Sequence, residues 1–225
     1  GSLGQIRQIQ IEMPQEGFAR VTPTGEPVVP QDWRLRDGDI PTISLDLGVH
    51  LHSIVRFLTG QTPLEVVASS RSEGNFPQIV DNISCLARYS GDLHCGIWYS
   101  KTALGYRNGL RVRVFGELAA AEWLQTDPEH LHLADNGGRR SILDRASADI
   151  RVANAVRYTR FKAGHPAGFI ESFANYYHDI ADGLATRQAV PSYLFGIDAA
   201  LEGLALLDTI ARSSRSLRWE TVSCP

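Results

Sequence analysis

The chain reads Ser44-Leu-Asp-Leu-Gly-Val-His-Leu-His-Ser-Ile-Val-Arg-Phe-Leu-Thr-Gly60 at the point that decides its architecture. The apolar residues of this stretch recur at helical spacing, and the closing glycine is typical of a helix C-terminus, so we predict a helix over residues 45–59. Asp46 and His50 are four residues apart and would share one face of that helix. Because a carboxylate and an imidazole can move a proton to or from a hydroxyl near neutral pH, the pair is a candidate active site.

Each residue of this segment also has a structural interpretation. An Asp directly before an apolar helix is a common N-cap, and a His on a helix face can simply pack. Gly48 costs roughly 1 kcal/mol inside a helix, which either the close approach of a ligand or backbone or simple tight packing would explain. His52 lies two positions after His50 and would point elsewhere, so we predict a structural role for it.

The composition argues against several classes of protein. A chain of 225 residues, 43% apolar and 21% charged, is typical of a globular protein of one large domain or two small ones. The net charge of −3, with scattered basic residues, does not indicate binding to nucleic acid or to an anionic membrane. No apolar run approaches the roughly 20 residues of a membrane span. Cys85, Cys95 and Cys224 form neither a disulfide framework nor a zinc pattern, and we interpret them as reduced thiols of a cytoplasmic protein.

The remaining pattern predicts many strands followed by two helices. Alternation over residues 5–13 predicts a first strand, and the proline-rich residues 14–43 predict a long ordered loop. Residues 134–165 are interpreted as a second long loop. This order of elements indicates an α+β fold with a mainly antiparallel sheet. The other predicted elements are strands at 65–70, 81–89, 93–100, 110–115, 119–124 and 217–221, hairpins at Ser90-Gly91 and Gly116-Glu117, and helices at 167–184 (opened by Pro166) and 194–213.

The apolar stripe of the helix at 167–184 is predicted to be mainly core. Phe173, Tyr176 and Tyr177 recur on one broad face of that helix. His130 and His132 lie on an apparent strand, where residues two apart share a face. With no third ligand near them in the sequence, we expect no metal site there.

Six stretches follow one another in an order that matches a known family. They are Gln31-Asp-Trp-Arg34 followed by Ser44-Leu-Asp-Leu-Gly-Val-His50, then Val114-Phe-Gly-Glu-Leu-Ala-Ala-Ala-Glu-Trp123, Gly164-His-Pro-Ala-Gly-Phe-Ile-Glu-Ser-Phe-Ala-Asn175, Ser192-Tyr-Leu-Phe-Gly-Ile-Asp-Ala-Ala-Leu201, and Arg218-Trp219. Together they resemble the motifs of the Gfo/Idh/MocA oxidoreductases, the family of glucose–fructose oxidoreductase and inositol dehydrogenase. Asp46 and His50 correspond to its D-x-x-x-H signature. The chain departs from the pattern at Ala119 or Ala120, where a second glycine is usual.

The resemblance covers only the C-terminal half of such proteins. It implies that residues 1–225 form a single substrate-binding and oligomerisation domain. Its fold would be α+β, with a large open, mostly antiparallel sheet, helices on one face and commonly a second subunit on the other. The family's N-terminal Rossmann domain, which holds NAD or NADP, and its Glu-Lys-Pro segment with a catalytic lysine are absent from this chain. We therefore expect an excised part of a longer protein, with Gly1-Ser2 left by tag removal, that binds no cofactor and is inactive alone.

The resemblance also implies roles for single residues. His50 is assigned to proton transfer, and Asp46 to holding the imidazole or a neighbouring hydroxyl. Trp33, Arg34 and His165 are candidate substrate-binding residues, although Arg34 can equally form a structural ion pair. The implied partners are a sugar or polyol substrate and a second copy of the chain, packed on the open sheet face. The alternative is a non-enzymatic module that binds a sugar or dimerises through its sheet.

Overall fold

The computed structural model describes residues 1–148, 150, 160–165, 168–186, 191 and 193–223. Pro166, Ala167, Ser192 and Cys224, which carried predictions, lie outside these described residues. Within the described part, no helix combines the length and the apolar character needed to cross a membrane.

One sheet of nine strands dominates the described part of the chain. Its spatial order is β8-β7-β6-β5-β1-β4-β3-β2-β9, and β1 and β4 form its one parallel pair. The α+β class and the large, mostly antiparallel sheet are thereby confirmed. The strands are β1 (Ile6–Pro14), β2 (Pro63–Arg71), β3 (Asn82–Tyr89), β4 (Leu93–Ser100), β5 (Arg111–Gly116), β6 (Ala119–Leu124), β7 (Asp127–Asp135), β8 (Arg140–Leu143) and β9 (Glu220–Thr221).

The hydrophobic core lies on one face of this sheet. Side chains alternate between the two faces of a strand, so β1 buries Ile9 and Ile11 while its polar neighbours point to the other side. Helices α1 (Val49–Thr59) and α3 (Ile197–Ser216) supply the second layer of the core. Leu51 of α1 and Leu207 of α3 are fully buried in it. The opposite face carries charged side chains and is the open face of the sheet.

The prediction of a long loop over residues 134–165 was wrong in its first part. Strand β7 continues to Asp135, and β8 pairs with it in antiparallel register, Leu131 opposite Leu143. Strand β8 has four residues, half of them exposed. A strand so short at the edge of a sheet needs no apolar run, which is why its composition resembles that of a loop.

The prediction that Phe173, Tyr176 and Tyr177 are core was also wrong. They lie on helix α2 (Phe169–Thr186), and Tyr177 is 63% exposed. Asp179 is the one buried residue of this helix in the described part. The periodicity identified an amphipathic helix correctly, but no described layer of this chain covers its apolar stripe.

Cys85 and Cys95 are free, buried thiols on neighbouring strands β3 and β4, as predicted. Burial raises the pKa of both thiols to about 12.

Candidate functional site

The segment with the candidate acid/base pair begins with a π-helical turn. Ser44–Gly48 form this turn, and the backbone N–H of Val49 donates to the carbonyl of Ser44, five residues back. Helix α1 continues from Val49 to Thr59, and the residue that caps its C-terminus, Gly60, has a left-handed conformation with φ 67°. The predicted helix is thus present, but its first turn is wound differently. Single π turns are rare in proteins as a whole, and those that occur are often found at functional sites.

Tight packing accounts for the glycine in this turn. A Cβ atom on Gly48 would lie 2.8 Å from Cδ2 of Leu207 and 3.3 Å from Cζ of Tyr99. The Ser44 hydroxyl is 2.9 Å from the Tyr99 hydroxyl, which ties the same turn to strand β4. Of the two explanations for Gly48, close packing on α3 and β4 is therefore realised in the structure.

Asp46 is not a helix N-cap. The N-cap of α1 is Gly48, and the Asp46 carboxylate, 17% exposed, faces two cations. The Lys101 Nζ atom lies 2.6 Å from Oδ2. Arg34 reaches the same group, with Nε 3.4 Å from Oδ2 and Nη2 3.4 Å from Oδ1. Oδ2 has no well-directed hydrogen bond in the described part of the chain, so its short contact with Lys101 is an ion pair.

Arg34 reaches this carboxylate from the long loop before the helix. It belongs to a 3-10 turn, Asp32–Leu35, and its guanidinium carbon lies 4.9 Å from the centroid of the Trp33 ring. Trp33 is half exposed. The structural ion pair considered for Arg34 therefore exists, and its partner is the candidate catalytic carboxylate itself. The arrangement places an aromatic surface next to the charged cluster.

Lys101 is the residue of this cluster that sequence reasoning missed. Strands β1 and β4 run parallel with Pro14 opposite Ser100, so Gln15 and Lys101 follow them at the same edge of the sheet. The Lys101 side chain is 3% exposed, and its Nζ donates to Oε1 of Gln15 at 3.1 Å. Burial lowers the pKa of Lys101, and the close, charged carboxylate of Asp46 acts against that change. No motif marked this lysine; its position directly after an apolar strand was the only local signal.

His50 lies in the first turn of α1 and is exposed. Its ring makes no hydrogen bond or ion pair with another described residue. The imidazole is therefore open to a ligand, one helical turn after a carboxylate that is held by two cations. His165 is also exposed, with Nδ1 3.2 Å from the carbonyl of Lys162, and its own carbonyl accepts from Arg145. No hydrogen bond or ion pair of the described residues joins it to the cluster, and its role stays a prediction.

His52 is packed inside the molecule, as predicted. Its Nε2 lies 3.2 Å from Oε1 of Glu202, and Nδ1 is 3.4 Å from the Tyr89 hydroxyl. Burial, followed by the charge of Arg56, lowers the pKa of His52 to about 4, whereas burial raises the pKa of Glu202. At neutral pH His52 is therefore an uncharged ring between α1 and α3.

The two histidines of strand β7 do not form part of a metal site in the structure. His130 pairs through Nδ1 with Oδ1 of Asp127 at 2.8 Å. Among the residues that the structure describes, no group of three or more His, Cys, Asp or Glu side chains is arranged to hold a metal ion.

Comparisons with known proteins relate this fold and site to one family. The sequence model of the GFO/IDH/MocA C-terminal domain matches residues 1–122, more than half of the chain. The uncharacterized oxidoreductase YfiI of Bacillus subtilis (strain 168) is 25% identical over 226 residues, which cover 95% of this chain and 56% of that protein. An oxidoreductase structure from Sinorhizobium meliloti has 31% identity and a TM-score of 0.79, covering 98% of this chain and 58% of that one.

A further similar structure shows the fold alone. It is an inositol dehydrogenase homolog from Azotobacter vinelandii in complex with NADH and myo-inositol, with 23% identity and a TM-score of 0.78, covering 97% of this chain and 57% of that one. The chain spans somewhat more than half the length of each of these relatives. The family match and the D-x-x-x-H pair within it lead to one conclusion: the chain belongs to the GFO/IDH/MocA family, whose C-terminal domain it represents.

Proposed function

We propose that this chain is the C-terminal substrate domain of an NAD(P)-dependent dehydrogenase that oxidises a sugar or cyclitol. The observation that carries the proposal is the exposed His50 one turn after Asp46, whose carboxylate is held by Lys101 and Arg34. Family membership supports the reaction class, and the relative that binds myo-inositol supports the substrate class. We place the enzyme in the cytoplasm, where free thiols such as Cys85 persist.

The proposed chemistry assigns one step to each residue of the pair. A nicotinamide cofactor, bound by a separate domain, supplies the hydride acceptor. The imidazole of His50 takes the proton of the substrate hydroxyl as the alcohol becomes a carbonyl. Asp46 holds the imidazole or a neighbouring hydroxyl, and Trp33, Arg34 and His165 contact the rest of the polyol. The described residues build no Gly-rich strand–turn–helix unit, so no step of the cofactor is assigned to this chain.

The test uses the complete polypeptide encoded by the gene. We expect a dinucleotide-binding domain upstream of Leu3 and reduction of NAD⁺ or NADP⁺ with at least one member of a panel of myo-inositol, scyllo-inositol, D-glucose and D-xylose. His50→Gln and Asp46→Asn should each lower kcat by about 10²–10⁴-fold, the usual contribution of a positioned acid or base. His130→Gln is the matched control because that ring pairs locally with Asp127. Unchanged kcat in both site variants would refute the assignment.

The chain alone is proposed to be inactive. Purified residues 1–225 should give no absorbance change at 340 nm with NAD⁺ or NADP⁺ and any polyol of the panel. Turnover by the isolated chain would contradict the division of labour between two domains.

The second candidate function is assembly through the open sheet face, with or without catalysis. This face exposes Leu86 and Ile142, and it carries a groove of about 580 Å³. We propose that a second copy packs here, which light scattering would report as twice the monomer mass. Leu86→Lys should return a dimer to the monomer, and a strictly monomeric wild type would refute the proposal.

A gene without an upstream nucleotide-binding unit would favour a purely non-enzymatic module. The groove is lined by Arg113, Phe115, Glu122, His132, Arg140 and Ile142, among others.

A further inference from the structure

We propose that Lys101 is a positioning residue of the active site: its ammonium group fixes the Asp46 carboxylate in the orientation that the Asp46–His50 pair requires. The inference rests on the proposed function, because it assigns a task to a third residue of that pair. It begins from an unusual placement, since lysine is among the residues that are almost never fully buried without a partner. The chain contains two lysines, Lys101 and Lys162, and Lys162 is exposed.

The backbone of Lys101 is held on both sides. Its N–H donates to the carbonyl of Asp81 at 2.8 Å, and its own carbonyl accepts from the N–H of Phe18 at 2.8 Å. The side chain then runs beside the Phe18 ring, with Nζ 5.4 Å from the ring centroid. The backbone of Lys101 is anchored at both its N–H and its carbonyl, and its aliphatic stem is buried. The ammonium group therefore has little freedom to move.

The ammonium group is shared between two acceptors from different segments. Gln15 accepts at 3.1 Å and Asp46 lies at 2.6 Å, so the head group joins the end of β1 to the π-helical turn. The other cation on Asp46, Arg34, is more exposed, is farther away at 3.4 Å and comes from a loop. Lys101 is therefore the rigid partner of the carboxylate, and Arg34 is the adjustable one.

The position of Lys101 excludes a direct role with substrate. With 3% of its side chain exposed, against 17% for Asp46, Lys101 has almost no surface that a substrate could contact. It acts through the carboxylate. A displacement of about 1 Å at a reacting group can lower a rate about 10²-fold, which sets the size of effect that loss of this contact should have.

The first experiment tests the contact in the 225-residue chain, by NMR of lysine side-chain ¹⁵Nζ groups. Two lysines give at most two signals, and Lys162→Arg assigns them. Asp46→Asn should shift the Lys101 signal and lower its pKa further, because the carboxylate opposes the effect of burial, while the Lys162 signal stays in place. A Lys101 signal that does not respond to Asp46→Asn would overturn the proposal without requiring any Lys101 variant to fold.

The second experiment tests the catalytic consequence in the complete polypeptide, with the best substrate of the polyol panel. Lys101→Met should lower kcat about 10²-fold, with KM changed less than about threefold. Removing one partner of a buried ion pair destabilises the fold, although Arg34 still compensates the charge of Asp46, so the unfolding midpoint checks that the variant is folded under the assay conditions. Arg7→Met, which removes one exposed charge from a pair with Glu117, is the control and should leave kcat unchanged.

A double-mutant cycle separates positioning from general structural support. Because Lys101 acts through Asp46, Lys101→Met should have no further effect on kcat in the Asp46→Asn background. If the two effects multiply instead, Lys101 does not act through the carboxylate and the inference fails while the proposed function stands. If Asp46→Asn alone leaves kcat unchanged, the role of Lys101 fails; if His50→Gln leaves it unchanged as well, or no polyol of the panel is turned over, the proposed function fails too.

Discussion

Replacement of Gly48 by alanine tests whether packing dictates the glycine of the π-helical turn. The added Cβ would lie 2.8 Å from Cδ2 of Leu207, whereas relaxed carbon–carbon contacts are about 3.5–4.0 Å. Leu207 is fully buried, and protein interiors are packed densely enough that a buried side chain shifts only at a cost. Overpacking of this kind costs about 1–3 kcal/mol, and the higher helix propensity of alanine returns about 1 kcal/mol. We expect Gly48→Ala to lower the free energy of unfolding by about 1 kcal/mol.

A second substitution removes the overlap and should reverse the sign of this effect. Leu207→Ala by itself costs about 2–5 kcal/mol, but it clears the space in front of residue 48. In that background the propensity gain dominates, and Gly48→Ala should stabilise the protein by up to about 1 kcal/mol. The coupling between the two positions would then be about 2 kcal/mol, within the range for residues in contact.

Urea unfolding of the four proteins at pH 7.5 measures both effects, provided that the m-values stay equal. Gly17→Ala is a matched control, since a Cβ there meets nothing within 4 Å. Equal destabilisation by Gly48→Ala in both backgrounds would refute the packing argument. If Gly48→Ala leaves stability unchanged but weakens substrate binding, the approach of a ligand becomes the better explanation for the glycine.

Three further predictions concern buried and exposed side chains. Because burial lowers the pKa of His52 from 6.5 to about 4, the unfolded chain binds a proton in this range that the folded chain does not. The free energy of unfolding should therefore fall between pH 7.5 and pH 4.5, by about 2–3 kcal/mol more in the wild type than in His52→Gln. The His52→Gln variant is needed for comparison because burial raises the pKa of Glu202, which changes stability with pH in the opposite direction. Phe169→Ser, at a position 75% exposed, should change the free energy of unfolding by less than about 0.5 kcal/mol. Cys85 and Cys95, with thiol pKa values of about 12, should resist iodoacetamide at pH 8 and react in urea, as peptide mass spectrometry would show.

Local chemistry made most of the sheet predictable. Alternation and turn residues located the β3–β4 and β5–β6 hairpins, because the pairing of adjacent strands is fixed by the turn between them. The parallel pairing of β1 with β4 had no such local signal, since the two strands are separated by the loop, α1, β2 and β3. Helix α2 shows the same limit: periodicity predicts an apolar face but not the surface that covers it.

The same distinction, between features set by local sequence and features set by long-range contacts, applies to the candidate site. The spacing of Asp46 and His50 is a property of one continuous segment, the π-helical turn and the first turn of α1, so the pair could be proposed from the sequence. The contact of Arg34 with Asp46 depends on how a loop folds back over that helix, so the ion pair was one of two open alternatives and its partner was unknown. The winding of the first turn could not be foreseen either, because it follows from contacts of Ser44 and Gly48 with strand β4 and helix α3.

Lys101 shows why the central contact of the site could not be read from the sequence. A lysine that follows an apolar strand is ordinarily placed where its ammonium reaches water. Here the parallel pairing of β1 and β4 brings Gln15 beside it, and the π-helical turn lies over both, so the ammonium is enclosed. Enclosure is tolerable because the Asp46 carboxylate compensates the charge. The arrangement that makes the sheet's one parallel pair therefore also brings Lys101 to the carboxylate, and the site contains an ion pair between segments that are distant in sequence.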